Sequence, residues 1–184
     1  MDGARYIVMG VVGEAAGPKL YTIERPGPGR LSTMMRPRGF DELDGVLAAL
    51  RAEGVDVLVS LLAEDEAAAE GLACEGERAD AHVLAFYHLP TRDHHAPERD
   101  QTAALAETLH GHLARGDSVV VHCWAGIGRS STVAAATLLL EGYEPGTAWR
   151  LISAARGYEV PEQQSQRDLI DDLWADLSPG RTSE

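Results

Sequence analysis

Cysteine occurs only twice in the 184 residues, at Cys74 and Cys123. Two thiols that belong to no CxxC pair exclude a disulfide framework and leave zinc-ribbon and redox-motif chemistry without the spacing it needs. Aromatic residues are scarce at 5%, yet 45% of the chain is hydrophobic, enough for one sizeable core rather than two. Basic residues are also few: 16 Lys and Arg stand against 29 Asp and Glu, a formal net charge of −13. That balance opposes broad attraction to nucleic acid or an anionic membrane and leaves room only for a local basic pocket. The apolar part of DGARYIVMGVVGEAAG at 2–17 is too short to span a bilayer and lacks the basic start of a secretory signal. There is no internal repeat and no low-complexity linker. The expectation is a cytoplasmic protein with one domain over 1–177 and a frayed tail, SPGRTSE, at 178–184. Oligomeric state is not legible.

What is present is an alternation of strand and helix patterns. RYIVMGVV at 5–12 and LYTIE at 20–24 read as an opening hairpin, closed by the irregular RPGPGR. Phe40, Leu43, Val46, Leu47 and Leu50 fall at helical spacing up to Gly54. A buried strand follows at 55–62, then one or two short helices, then a strand at 82–89 ended by Pro90. A helix over 97–116 begins at Pro97 and leads to the strand DSVVVHC, and further helices are expected at about 129–141, 145–156 and 162–176. Strands interleaved with helices predict an α/β domain, with a mostly parallel sheet covered on both faces.

The segment VVVHCWAGIGRSS at 119–131 carries the chemistry. A buried strand that breaks at WAGIG and resumes as a helix at Arg129 turns consecutive backbone N–H groups toward one centre at a positive helix end, a cradle for phosphate. Gly126 and Gly128 permit the tight turn and close approach. Trp124, Ala125, Gly126, Ile127, Gly128 and Arg129 are thus the candidate phosphate-binding residues. Cys123 sits at the mouth of the cradle, where the helix field and oriented N–H groups stabilise a thiolate and make it a nucleophile at neutral pH. Arg129 can swing its planar fork across the loop and grip two phosphoryl oxygens. Ser130 can donate its hydroxyl to the sulfur when the thiolate must leave. His122 holds the loop rather than acting as base, because a pre-formed thiolate needs none.

HCWAGIGRS resembles the signature of the cysteine-dependent protein tyrosine phosphatase superfamily: His-Cys, five residues, Arg, then Ser or Thr. His, Cys, Ala-Gly, Arg and Ser fall in register at 122, 123, 125–126, 129 and 130. Chain length and element order are similar to the compact dual-specificity branch. MMRPRG, VDVLVSLLAEDE and LPTRDHHAPE resemble segments of its kinase-associated and bacterial members, so the likeness spans roughly residues 30–170. It implies the phosphotyrosine phosphatase fold and hydrolysis of phosphotyrosine, and of phosphoserine or phosphothreonine, through a phosphocysteine intermediate without a cofactor or metal. A phosphoprotein or phosphopeptide is then the partner. The leaving oxygen needs a proton from a separate segment. Asp93, three residues after Pro90, matches the family's general acid in its Pro-x-x-Asp setting. Glu98 and Asp100 compete with it but fall where a helix should already have begun, and Asp93 also suits a turn or N-cap. By the same likeness PEQQSQRDL supplies a glutamine that orients the hydrolytic water, Gln166. An exposed helix face with Gln163 and Gln164 is the alternative.

Other residues carry less. His82, His88, His94 and His95 lack a Cys or carboxylate at ligand spacing, so no metal is expected. Arg36 or Arg38 can reach the pocket rim, or merely enter a helix. Arg92 can meet substrate acids or stay solvated. Cys74 is a packed side chain or a resolving thiol. Three alternatives to a protein phosphatase remain. An inositol phosphate, phosphoinositide or RNA 5′ phosphate as substrate would favour lysines in the loop, where Trp124, Ala125 and Ile127 are uncharged. A phosphate-binding module without turnover would not need the nucleophile, the Arg and an acid together. A sulfurtransferase would not need the full His-to-Ser register.

Overall fold

The computed structural model describes residues 17–178. Within them lie β1 (Tyr21–Thr22), β2 (Arg30–Met35), a 3-10 turn (Phe40–Glu42), α1 (Leu43–Ala52), β3 (Val57–Ser60), α2 (Glu64–Ala69), α3 (Glu75–Ala81) and β4 (Ala85–His88). They continue with α4 (Arg99–Ala114), β5 (Ser118–Cys123), α5 (Arg129–Leu140), α6 (Pro145–Arg156) and α7 (Gln164–Leu177). The sheet order is β1-β2-β5-β3-β4, parallel except for β1 on β2.

The expected opening hairpin of 5–12 with 20–24 falls partly on residues that are not described, and RPGPGR takes a different place from the one expected. The 5–12 arm lies outside the described residues, and the 20–24 arm pairs forward with 30–35, Tyr21 opposite Thr33. The RPGPGR loop is therefore the hairpin turn, and RLSTMM, not read as a strand from the sequence, is β2. Its alternation is masked because Ser32 and Thr33 are buried together with Leu31 and Met34, as happens in a strand covered on both faces.

Odd and even positions of the central strands feed two cores. Leu31, Val57, Val59, Val119 and Val121 pack with Leu109 and Leu113 of α4 and with α5, α6 and α7. Met34, Leu58 and Val120 pack on the other face with Leu43, Leu47 and Leu50 of α1 and Ala79 of α3. Each fully buried aliphatic side chain contributes about 1.5–3 kcal/mol, which makes β5, buried at all six positions, the best-anchored strand. α5 is buried from Arg129 through Leu139. Its sequence, RSSTVAAATLLL, suits that place because small residues let the neighbouring elements approach closely. No helix among the described residues is long and apolar enough to cross a membrane.

Candidate active site

The carboxyl ends of β2, β3, β4 and β5 lie at one edge of the sheet, where open α/β folds bind ligands. β5 ends on Cys123, and the loop 124–128 delivers the chain to the first turn of α5. The loop's carbonyls turn outward: the Arg36 N–H donates to Trp124 O at 3.1 Å and Arg156 Nη2 donates to Ala125 O at 3.2 Å. Among the described residues, no backbone N–H of 124–128 donates to a protein acceptor, which leaves these groups for an anion. Gly126 adopts φ +69°, and a Cβ there would stand 2.3 Å from Met34 O. Only glycine fits. At Gly128 a Cβ would stand 2.8 Å from Gln166 Oε1.

Cys123 is buried, with its Sγ 3.4 Å from Ser130 Oγ. Arg129 is 2% exposed and held by several acceptors. Its Nη1 donates to Glu66 Oε2 at 2.6 Å and to Thr91 O at 2.7 Å, and its Nη2 donates to Glu66 Oε1 at 3.1 Å. Asp93 Oδ1 lies 3.0 Å from the same Nη2. Burial works against the guanidinium charge. The Glu66 hydrogen bond and the charges of Cys123, Glu66 and Asp93 outweigh it, so the Arg129 pKa is raised and the group stays cationic.

Sequence reasoning missed Glu66, one of several acids in a run of Glu and Ala with no distinguishing spacing. Its Oε2 also accepts the Ala63 N–H at 2.9 Å, so a single carboxylate fixes the start of α2 and the Arg129 fork. The available signal was the Ala63-to-Glu66 offset, the second half of a capping box.

The acid candidates separate cleanly by position. Glu98 caps α4, accepting from Asp100 N at 3.1 Å and Gln101 N at 2.8 Å, and those backbone N–H groups hold its carboxyl below the ordinary range. Asp100 is 87% exposed, beside Arg99. Asp93 alone of the three lines the cavity with Cys123 and Arg129. That cavity measures about 240 Å³, at the small end of ligand sites.

Gln166 is 1% exposed, so the exposed-face alternative is wrong for it: α7 turns this side chain inward. Its Nε2 donates to His95 O at 3.0 Å, and its buried Oε1 has no protein partner. Gln164 instead bonds Asp168 on the outer face. Arg36 stacks on the Trp124 ring, 4.2 Å from its centroid, and its Nε donates to Glu70 at 2.8 Å. Arg38 is 74% exposed and pairs with Glu42. Cys74 packs with the α1–α3 core, whereas Cys123 belongs to the opposite core, so the sheet separates the two thiols. The four histidines disperse: His82 approaches Asp44, His88 bonds Leu62 O, His94 lies near Asp93 and Gln163, and His95 bonds Asp93 O.

Comparison with solved structures places this architecture among phosphatases. A kinase associated phosphatase with Ser in place of its catalytic-site Cys superposes with a TM-score of 0.80 at 16% identity, covering 92% of this chain and 100% of that one. Tk-PTP in its active form gives 0.65 at 25% identity, covering 84% and 96%. PTPMT1 in complex with PI(5)P gives 0.68 at 20%, covering 80% and 91%. Among curated proteins no sequence matches significantly. A family model, described as "Polymorphic toxin system, DSP-PTPase phosphatase", matches residues 32–143, more than half of the chain, from within β2 through the signature loop and α5. The chain therefore belongs to this family of DSP-PTPase phosphatases, within the cysteine-based protein tyrosine phosphatase superfamily.

Proposed function

We propose that the protein hydrolyses phosphotyrosine in proteins, and phosphoserine or phosphothreonine where the mouth of the pocket admits them. The observation that carries this reading is the convergence of Cys123, Arg129 and Asp93 on one small cavity. The Cys123 thiolate attacks phosphorus within the N–H cradle, the ester P–O bond breaks, and Asp93 gives its proton to the leaving oxygen. Water then attacks the phosphocysteine, Asp93 takes its proton, and the sulfur leaves as thiolate toward the Ser130 hydroxyl. Gln166 Oε1, buried without a partner at the loop, is the acceptor that holds this water.

The 3.0 Å contact of Asp93 with Arg129 gives way when the phosphoryl group enters. A phosphoryl oxygen takes Nη2, which frees the Asp93 carboxyl to turn toward the leaving oxygen. Meanwhile Nη1 remains tied to Glu66 and Thr91.

A polyphosphorylated substrate, an inositol phosphate or phosphoinositide, is the second reading, suggested by the PTPMT1 complex. The lining opposes it. Besides Arg129 and His94 the cavity wall offers Trp124, Ala125 and Ile127, and it adds the acids Asp93 and Glu162, which would repel extra phosphates. Cytoplasmic action suits an enzyme whose nucleophile must remain reduced. A parallel assay separates the readings. Phosphotyrosine peptides should be turned over faster than phosphoserine or phosphothreonine peptides, and faster again than inositol phosphates or short 5′-phosphorylated RNA. The reverse order would move the substrate away from proteins.

The role of Asp93 has its own test. Asp93→Asn should slow aryl phosphates with poor leaving groups by about 10²–10³ and those with good leaving groups far less. The basic limb of the rate profile, which reports loss of the acid's proton, should flatten. Equal slowing of all aryl phosphates would remove Asp93 from the role.

A further inference from the structure

The histidine expected to hold the signature loop makes no hydrogen bond to it. His122 alternates with Cys123 along β5, so its side chain lies toward α3 on the opposite face, 0% exposed, and neither ring nitrogen has a hydrogen-bond partner among the described residues. The side chain that does reach the loop is Arg156, the last residue of α6. Its Nη2 donates to Ala125 O at 3.2 Å and to the Tyr158 hydroxyl at 2.5 Å. In a trans peptide the C=O and N–H point opposite ways, so an Ala125 carbonyl drawn outward sends the Gly126 N–H into the anion cradle.

Arg156 is 7% exposed, yet among the described residues no carboxylate pairs with it, and its Nε and Nη1 are buried without an acceptor. Aromatic faces carry its charge: Cζ stands 3.6 Å from the Tyr21 ring centroid and 5.2 Å from that of Tyr158. Lys19 Nζ lies 4.9 Å from the same Tyr21 ring. Such a cationic spot stands out in a chain of net charge −13. Tyr158 is the group that can bring an anion to it. The side chain is 44% exposed, on the irregular chain between α6 and α7, and its neighbour Glu159 pairs with Arg167. Farther along that chain, Glu162 and Gln163 line the substrate cavity.

We propose that Tyr158 is a phosphorylation site, and that a phosphoryl group on it draws Arg156 off Ala125 O and so switches the anion cradle off. The proposal rests on 123–129 being the substrate loop. A tyrosine kinase supplies the group from a nucleoside triphosphate. The phenol oxygen bonds the γ-phosphorus, the bond from that phosphorus to the bridging oxygen breaks, the nucleoside diphosphate leaves, and the phenol proton passes to the kinase's base. The product carries about two negative charges and several acceptor oxygens. Nε and Nη1 then gain charged acceptors, and the hold on a neutral carbonyl gives way to hydrogen bonds roughly twice as strong.

The test places phosphonomethyl-phenylalanine at 158, a phosphotyrosine analogue whose P–C bond the enzyme cannot hydrolyse. Relative to wild type, kcat/KM for a phosphotyrosine peptide should fall by about 10²-fold, the cost of one lost oxyanion donor. Inorganic phosphate, titrated by calorimetry, should bind more weakly as well. Tyr158→Phe, which keeps the ring without the charge, should stay close to wild type in both. The loss should persist in concentrated salt, because a displaced donor is not restored by screening, whereas simple repulsion of substrate would fade. Arg156→Met should reproduce the loss, and the analogue should add nothing to it. Should Arg156→Met fail to fold, the salt series on the analogue protein still decides. In parallel, Cys123→Ser protein treated with ATP and a tyrosine kinase of broad specificity should carry phosphate at Tyr158 by mass spectrometry. An analogue protein as active as Tyr158→Phe, a loss that salt abolishes, an equal further loss without Arg156, or no phosphate at Tyr158 would overturn the proposal. Phosphate binding is read without turnover, so the proposal can fail while hydrolysis stands. Conversely, a wild-type protein that binds phosphate but hydrolyses no phosphomonoester would fail the functional reading alone.

Discussion

Cys123→Ser should lower hydrolysis of any phosphomonoester substrate by at least about 10⁴-fold while leaving the affinity for inorganic phosphate within a few-fold of the parent. The serine hydroxyl is not ionised at neutral pH, so the cradle presents an anion site with no nucleophile in it. The fold should tolerate the exchange, because Sγ has one polar neighbour, Ser130 Oγ at 3.4 Å, and a hydroxyl at 123 can keep that contact. The check is paired: initial rates on a phosphotyrosine peptide, and calorimetric titration with phosphate. Retained turnover would rule out a covalent intermediate on Cys123. Lost phosphate binding would mean that the sulfur, rather than the backbone N–H groups, holds the anion.

Arg129→Lys should be nearly as damaging, costing about 10²–10³ in kcat/KM and weakening phosphate binding as well. An ammonium restores the charge but not the fork. In the structure Nη1 is committed to Glu66 and Thr91 O at 2.6 and 2.7 Å, and that anchoring aims the rest of the guanidinium at the pocket. A lysine that satisfies Glu66 has no second nitrogen for the phosphoryl group. One that serves the phosphate leaves Glu66 without its cation, and removing one partner of such a pair is destabilising by about 3–5 kcal/mol when it is buried. The variant should therefore show a lowered melting temperature together with its loss of rate. A variant within a few-fold of wild type in kcat/KM would show that charge alone suffices.

The chemistry of the site was more legible than its supports. Cys123, Arg129 and the loop between them announce themselves because strand, turn and helix signals coincide with residue types that have one shared use. The order of elements was legible from α1 at Leu43 onward for the same reason, since hydrophobic periods and glycine stops agree. β2 was not, because two buried polar residues, Ser32 and Thr33, break the apolar run while the sheet still buries them. Glu66 was hidden for a different reason. It lies in a segment crowded with acids, where only the tertiary fold distinguishes an acid that turns inward from those that meet solvent. Gln166 was ambiguous between an exposed helix face and the site, and the packing of α7 against α5 decides which side of it faces in.

The burial of α5 from its first arginine to its penultimate leucine has a consequence for how the molecule loses its activity. In most folds a ligand site borrows loops that can open while the body stays intact. Here the segment that supplies the anion cradle is continuous with the helix on which both the sheet and the surrounding helices close. The amides within α5 should exchange with solvent only when the sheet and the surrounding helices come apart, that is, with unfolding of the domain. The acid-bearing segment after β4 is different, since Asp93 is about half exposed and its neighbours Arg92, His94 and His95 face solvent. The protein thus divides its catalytic duties between two regimes of stability. The anion grip is as durable as the fold itself, and proton delivery rests on the part that can breathe.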